Sequence, residues 1–196
     1  MSGVTCAWSS HHPDVGKAFG TYLDEVNTRR AATAVIGDTL RADLSAWLNA
    51  RDASLDLMVR DIDNVACGIR LTGTDELPVG WRYKASEDML VPDRRTRSGK
   101  LYARALRHHD TLPRPQFALP GLPLTTFGWM HAGMRYSPGA FELDGVIWTG
   151  WGVPAEHQDR LAEDIDGALW TRRPLSEYWA ASEELDRVNA RAKADS

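Results

Sequence analysis

Six cationic side chains lie close together in the middle of the chain, and we call them the basic segment: Arg94, Arg95, Arg97, Lys100, Arg104 and Arg107. If a helix begins near Ser98, then Lys100, Arg104 and Arg107 share one face of it, because residues three and four apart are neighbours on a helix surface. Guanidinium groups donate paired hydrogen bonds to phosphates and carboxylates, and a helix N-terminus adds free amide donors. The basic segment therefore predicts a binding site for an anion, a nucleotide or a nucleic acid.

The basic segment also has a less specific interpretation, in which it is a solvated surface that pairs with the acidic C-terminal helices. It is not a P-loop, because that loop requires Gly at position 94 and Ser or Thr at position 101, where Arg94 and Leu101 stand. Trp81 and Tyr83 precede the segment, and aromatic side chains stack on bases in single-strand binders. Core packing is the commoner use of aromatics in a predicted hairpin.

Histidines occur beside carboxylates at two places, His11-His12-x-Asp14 and His108-His109-Asp110, whereas His131 and His157 stand alone. Imidazole and carboxylate are suitable ligands for zinc, manganese or iron. An alternative function is therefore an enzyme whose site, with or without a metal ion, is built from His11, His108, His109 and Asp110. The spacing is not that of a known metal motif. Adjacent residues also point about 100° apart on a helix. We therefore predict no metal site, no cofactor and no catalytic residue.

Other common chemistries have no sequence support. The chain lacks the G-x-S-x-G nucleophile elbow and the G-x-G-x-x-G dinucleotide fingerprint. Its two cysteines, Cys6 and Cys67, are far apart and predict free thiols rather than a disulfide or a zinc knuckle. The sequence therefore gives no support for the enzyme classes that these motifs identify, and we lean towards a protein without catalytic activity.

The charges are distributed unevenly along the chain. The net charge is -4, yet residues 76–115 contain nine Lys or Arg against five Asp or Glu, while residues 156–196 contain six against ten. Acidic side chains over residues 156–166 and 183–186 favour another alternative, an inhibitor-type module that contacts a basic partner protein. The eight tryptophans suit either a core or a protein interface.

The composition, with 43% hydrophobic and 26% charged residues, is typical of globular proteins. No run of 18 uncharged apolar residues is present, and the first residues lack the basic and apolar regions of a signal peptide, so we expect a cytoplasmic protein with no membrane partner. Arg outnumbers Lys by 19 to 4, a bias typical of GC-rich genomes, and indicates a bacterial, phage or mobile-element origin.

Apolar periodicity predicts helices at both ends of the chain. Helical spacing runs from Val15 to Gly37, a second helix starts at the N-cap Asp38, and a third runs from Ser54 to Gly73. Residues 65–71 also alternate as a strand would, but the continuous stripe from Leu55 favours helix. Pro154 and Pro174 each precede a predicted C-terminal helix, and Leu161, Ile165 and Leu169 form one face of the first.

The middle of the chain predicts hairpins. Two β-prone runs, residues 78–83 and 89–92, form one of them, and the Asp144-Gly145 turn between apolar runs forms the other. Met134 and Tyr136 suggest a third strand beside that second hairpin. Residues 99–109 predict a helix capped by Thr96 or Ser98, and four prolines make residues 110–126 irregular.

We predict a single α+β domain over residues 1–196. Residues 1–75 form a mainly helical layer, residues 76–155 contain hairpins that build a small antiparallel sheet together with proline-rich irregular chain, and residues 156–196 form two C-terminal helices. We expect a non-enzymatic binding or regulatory protein that engages a phosphate-bearing or acidic partner through the basic segment. The sequence leaves three partner classes open, nucleic acid, nucleotide or another protein, and is compatible with a homo-oligomer.

Overall fold

A computed structural model describes residues 3–59, 67–85, 89–124 and 128–195. Within these residues the chain forms four helices and ten strands, all of the strands in antiparallel pairs. The helices are α1 (Pro13–Asn49), α2 (Arg97–Thr111), α3 (Ala155–Asp164) and α4 (Leu175–Ala194). The strands are β1 (Cys6–Ser10), β2 (Ser54–Val59), β3 (Cys67–Thr72), β4 (Trp81–Lys84), β5 (Met89–Pro92), β6 (Trp129–His131), β7 (Met134–Tyr136), β8 (Gly139–Leu143), β9 (Val146–Trp151) and β10 (Thr171–Arg173).

The chain divides into two compact units. Unit 1 is built from both ends of the chain, Met1–Tyr22 and Phe117–Ser196, and unit 2 from the continuous stretch Leu23–Gln116. Helix α1 contributes its first turns to unit 1 and the remainder to unit 2. The expectation of a single domain stays a prediction.

The centre of unit 1 is a four-stranded antiparallel sheet in the order β10-β1-β9-β8. Strand β1 pairs on both sides, and Trp8 lies opposite Thr149 on β9 and Arg172 on β10. Strands β8 and β9 form the hairpin predicted from Asp144-Gly145, whose φ angles of 51° and 77° are the positive values that a type I′ turn requires. A separate two-stranded pair, β6-β7, completes the strands of this unit.

Unit 2 is a sheet in the order β2-β3-β5-β4 with the unit 2 part of α1 and α2 packed on one face. Its core combines one stripe of α1 with the inward residues of the strands. The buried members are Ile36, Leu40, Leu44, Leu48, Leu55, Ile69, Trp81 and Leu90. The strand residues between them, among them Asp56, Arg70 and Arg82, are exposed, which is the alternation of a half-buried sheet.

The predicted α+β class, with helices at the two ends and hairpins in the middle, is confirmed. The first two predicted helices are in fact one. Helix α1 runs without a break for 37 residues through Gly37 and Asp38. A glycine inside a helix costs about 1 kcal/mol relative to alanine, and burial of the flanking Ile36 and Leu40 in the core of unit 2 offsets that cost.

The third predicted helix, over residues 54–73, is wrong. These residues form β2 and β3, which pair antiparallel from Ser54 opposite Thr72 to Val59 opposite Cys67. Leu55 and Ile69 are buried while Asp56 and Arg70 are exposed, so the alternating pattern prevailed over the helical one. The part of the predicted helix over residues 60–66 lies outside the described residues.

Strand pairing in unit 1 differs from the prediction. Met134 and Tyr136 lie on β7, which pairs with β6 and not with the β8-β9 hairpin. The third strand of that sheet is β1, whose five residues are all buried and therefore show no alternation of polarity. Helix α3 ends at Asp164, so Leu169 lies beyond its predicted face.

Candidate anion-binding surface

The basic segment begins in a tight turn that leads into α2. Thr96 is the N-cap of the helix, and its Oγ1 accepts a hydrogen bond of 3.0 Å from the Gly99 amide. The same hydroxyl donates to the carbonyl of Asp93 at 2.7 Å, and the Asp93 carboxylate accepts a 2.9 Å bond from the Arg95 amide. These bonds fix the turn, and they leave the side chains of Arg94 and Arg95 exposed.

Gly99 allows this turn to approach the helix closely. A Cβ at position 99 would overlap the Asp93 carbonyl oxygen and lie 2.7 Å from the Arg94 Cα. The neighbours are backbone atoms of the turn, which cannot swing away as the end of a side chain can. The turn that carries Arg94 and Arg95 can therefore pack this closely against the helix only if residue 99 is glycine.

Helix α2 separates its polar and apolar faces. Tyr102, Ala105 and Leu106 pack against the core of unit 2, and His109 in the last turn is 1% exposed. Lys100, Arg104 and Arg107 are exposed on the opposite face, as their spacing predicts. The outer face of α2 therefore presents three cations to solvent.

Arg97 differs from the other members of the basic segment. Its Nε lies 3.4 Å from the carboxylate of Asp43 on α1, and the Ser98 hydroxyl donates a short hydrogen bond to the same carboxylate. A carboxylate beside a helix N-terminus is favoured by the helix dipole. The Asp43 carboxylate thus already occupies the N-terminal end of α2. The surface left for an external anion is the turn before the helix and the outer face of α2.

The other five cations have no such partner in the part of the chain that the structure describes. Within the described ranges, no carboxylate forms an ion pair with the side chain of any of them: Arg94, Arg95, Lys100, Arg104 and Arg107. We call these five the open cations. Their exposure and the lack of carboxylate partners among the described residues make them a concentration of available positive charge on unit 2.

The aromatic residues before the basic segment have separate positions. Trp81 is 8% exposed and belongs to the core of unit 2, so its ring is not available to a base. Tyr83 on the same strand is 56% exposed. The core interpretation of Trp81 is thus the one that the structure supports.

The predicted histidine groups fall in different units. In unit 1, the Asp14 carboxylate lies 3.8 Å from His12 Nδ1. In unit 2, His109 Nδ1 lies 3.4 Å from the guanidinium of Arg29, which is 3% exposed. Burial, with the Arg29 charge as a second cause, lowers the pKa of His109 below its usual value. Across the described residues, no three His, Cys, Asp or Glu side chains are placed to hold a metal ion.

The structure also brings together two histidines that stand alone in the sequence. His131 on β6 and His157 on α3 contact edge to face, with ring centroids 4.6 Å apart. His131 stacks on Trp129, whose Nε1 donates a 2.9 Å hydrogen bond to Asp164. No sequence signal marks this cluster, because its members come from separate elements.

The acidic C-terminal helices carry ion pairs with their own arginines. Arg160 pairs with Glu163 and Asp164 on α3, and Arg187 pairs with Glu184 on α4. The thiol of Cys6 is a possible nucleophile, but it is buried, and burial raises its pKa. Neither the acidic helices nor Cys6 adds a reactive group.

Comparison with known proteins finds no family model, no curated protein and no solved structure that matches the chain. None of the helices in the described ranges has the length and apolarity that crossing a bilayer requires. The function must therefore be argued from the site itself.

Proposed function

We propose that this chain is a binding protein and that the open cations contact a phosphate-bearing or acidic partner. The observation that carries the proposal is the arrangement of Lys100, Arg104 and Arg107 along one exposed face of α2, with Arg94 and Arg95 in the fixed turn before it. The five open cations have no carboxylate partner among the described residues, so they create a positive field, and such a field attracts anions and speeds their association.

The inhibitor-type alternative has weaker support. Its acidic helices carry internal ion pairs, so that less of their charge is available to a basic partner. Surface ion pairs of this kind each contribute about 1 kcal/mol or less, but they still reduce the net field around the helix. The positive charge of the open cations is more concentrated and less neutralised than the negative charge of these helices.

Fluorescence anisotropy tests the proposal with two labelled probes, a 20-base-pair DNA duplex and a peptide of five Glu-Glu-Ser repeats. The test variant combines Lys100→Gln, Arg104→Gln and Arg107→Gln. We expect it to bind the recognised probe at least tenfold more weakly than the unchanged protein at low salt. For DNA, the slope of log K against log salt should fall by up to about 3, since each neutralised phosphate contributes about 0.9.

The matched control removes three exposed cations from other elements, through Lys17→Gln, Arg30→Gln and Arg135→Gln. It has the same net charge as the test variant, and we expect it to retain most of the affinity. Equal losses in the two variants would mean that net charge alone governs binding. Equal losses would overturn the proposal. The proposal would also fail if the unchanged protein bound neither probe.

A further inference from the structure

Two large aliphatic side chains are exposed in the loop between β3 and β4. Leu77 is 45% exposed and Val79 is 100% exposed, whereas Pro78 between them is buried. We call Leu77 and Val79 the apolar tip. Single exposed aliphatic residues are common on protein surfaces, so the tip needs a second observation before it suggests a contact.

The second observation is that the apolar tip adjoins the turn that carries Arg94 and Arg95. The Asp93 amide donates a 2.7 Å hydrogen bond to the Gly80 carbonyl, directly after the tip. A Cβ at Gly80 would lie 2.5 Å from the Cγ2 of Thr96, and the φ of Gly80 is +83°, so only glycine permits this approach without strain. The two loops are therefore adjacent, one with the exposed apolar tip and the other with the exposed Arg94 and Arg95.

This combination discriminates between classes of anionic partner. A nucleic-acid backbone neutralises cations but offers little apolar surface to an aliphatic side chain, and proteins that bind single strands without sequence preference contact the bases through aromatic rings. Of the two aromatic rings on the strand that follows the tip, that of Trp81 is buried and only that of Tyr83 is exposed. A protein segment with carboxylates and an aliphatic side chain satisfies both halves of the surface, because apolar contact and charge complementarity then act together.

We infer that the partner is an acidic protein segment, which places an aliphatic side chain against Leu77 and Val79 while its carboxylates face the open cations. The inference rests on the proposed function and makes it more specific. It predicts that apolar content in the ligand matters, and that this dependence is lost when the apolar tip is made polar.

The experiment adds a third labelled probe, a peptide of five Glu-Glu-Leu repeats, which has the same charge as the Glu-Glu-Ser peptide. At moderate salt we expect the leucine peptide to bind the unchanged protein at least tenfold more tightly than the serine peptide. The double variant Leu77→Ser with Val79→Ser should reduce this preference to within about twofold. The affinity of the double variant for the serine peptide should equal that of the unchanged protein.

Val35→Ser is the matched control, because Val35 is an aliphatic residue that is 58% exposed on α1 of the same unit. It should keep the preference for leucine, and circular dichroism should show that each variant is folded. Equal affinity for the two peptides, or a preference that survives in the double variant, would overturn the inference but leave the proposed function intact. The same conclusion would follow if the protein bound the DNA duplex but neither peptide. If no probe binds, the proposed function itself fails.

Discussion

His109 and Arg29 are two ionisable residues buried together in unit 2. The Arg29 guanidinium donates to the carbonyls of Leu112 and Pro113 at 3.0 and 3.1 Å, and its Nη2 lies 3.4 Å from the imidazole. A neutral His109 can accept a hydrogen bond from Arg29, whereas a protonated one would place two positive charges side by side with little water. Arg29 thus joins the chain that leaves α2 to His109, and its contact with the imidazole needs a neutral histidine.

This contact predicts a loss of stability in mild acid. The pKa of His109 in the folded protein is lowered below the ordinary 6.5 by burial and by Arg29, although the Asp110 carboxylate opposes the shift. The unfolded state therefore takes up the proton first. The stabilisation from neutral His109 is fully present above pH 6.5 and decreases as the pH falls below that value.

Urea unfolding at pH 7.5, 6.5 and 5.5 measures this effect. We expect the free energy of unfolding to fall with pH in the unchanged protein and to fall less in His109→Gln, which cannot take up the proton. His108→Gln, the exposed neighbour, serves as the control and should keep the original pH dependence. An identical pH dependence in His109→Gln would show that other groups are responsible.

At the scale of the element, a glycine pair tests how α4 packs on the sheet of unit 1. Gly150 on β9 lies opposite Gly139 on β8, but only Gly150 is covered. A Cβ at position 150 would lie 2.6 Å from the buried ring of Tyr178, whereas nothing lies within 4 Å of one at position 139. Overpacking of this kind costs about 1 to 3 kcal/mol.

We therefore expect Gly150→Ala to lower the free energy of unfolding by about 2 kcal/mol, and Gly139→Ala to leave it nearly unchanged. Chemical denaturation followed by tryptophan fluorescence measures both variants on the same scale. Equal stability of the two variants would mean that Tyr178 and α4 move aside without cost.

Helix α2 allows a similar test of the turn that carries Arg94 and Arg95. Gly99→Ala introduces a Cβ that overlaps backbone of the turn, so we expect a loss of about 2 kcal/mol or more, together with weaker binding of the probe that the open cations recognise. Gly16→Ala, in a helix with nothing within 4 Å of the added Cβ, is the control and should stabilise slightly. Unchanged stability and affinity in Gly99→Ala would contradict the role given to this glycine.

Sequence predicted the elements whose signals are local. The Asp144-Gly145 turn occurs as predicted, and of the two predicted caps of α2, Thr96 and Ser98, Thr96 is the one observed; both signals depend on residues within three positions of each other. The outer face of α2 follows in the same way from the spacing of Lys100, Arg104 and Arg107. The faces of β2 and β3 did not follow, because a short apolar run fits helix and strand alike until its cross-strand partner is known.

Features that depend on distant residues escaped prediction. Strand β1 was missed because its pairing partners lie on β9 and β10, far along the chain, and its buried side chains give no alternating pattern. The contact of His131 with His157 and the internal pairing of Arg97 with Asp43 also join separate elements. Charge and spacing alone therefore identified the basic segment but not which of its members remain open.

At the scale of the whole molecule, the two units differ in how far apart in the chain their parts lie. Unit 2 is one continuous stretch, whereas unit 1 joins residues separated by more than 140 positions, such as Cys6 and the Trp151 carbonyl. Contacts of such long separation slow folding, because a large loop must close before they form. The β1 interactions are expected to form later than the local contacts of unit 2.

The discontinuity of unit 1 has a consequence on the ribosome. Strand β1 is synthesised before unit 2, yet β9 and β10, which cover its two edges, follow only after the whole of unit 2 has been made. Until then both edges of this strand are unpaired, a condition that favours association with other nascent chains. The order of synthesis thus makes the nascent chain, rather than the finished protein, the stage at which a chaperone has most to protect.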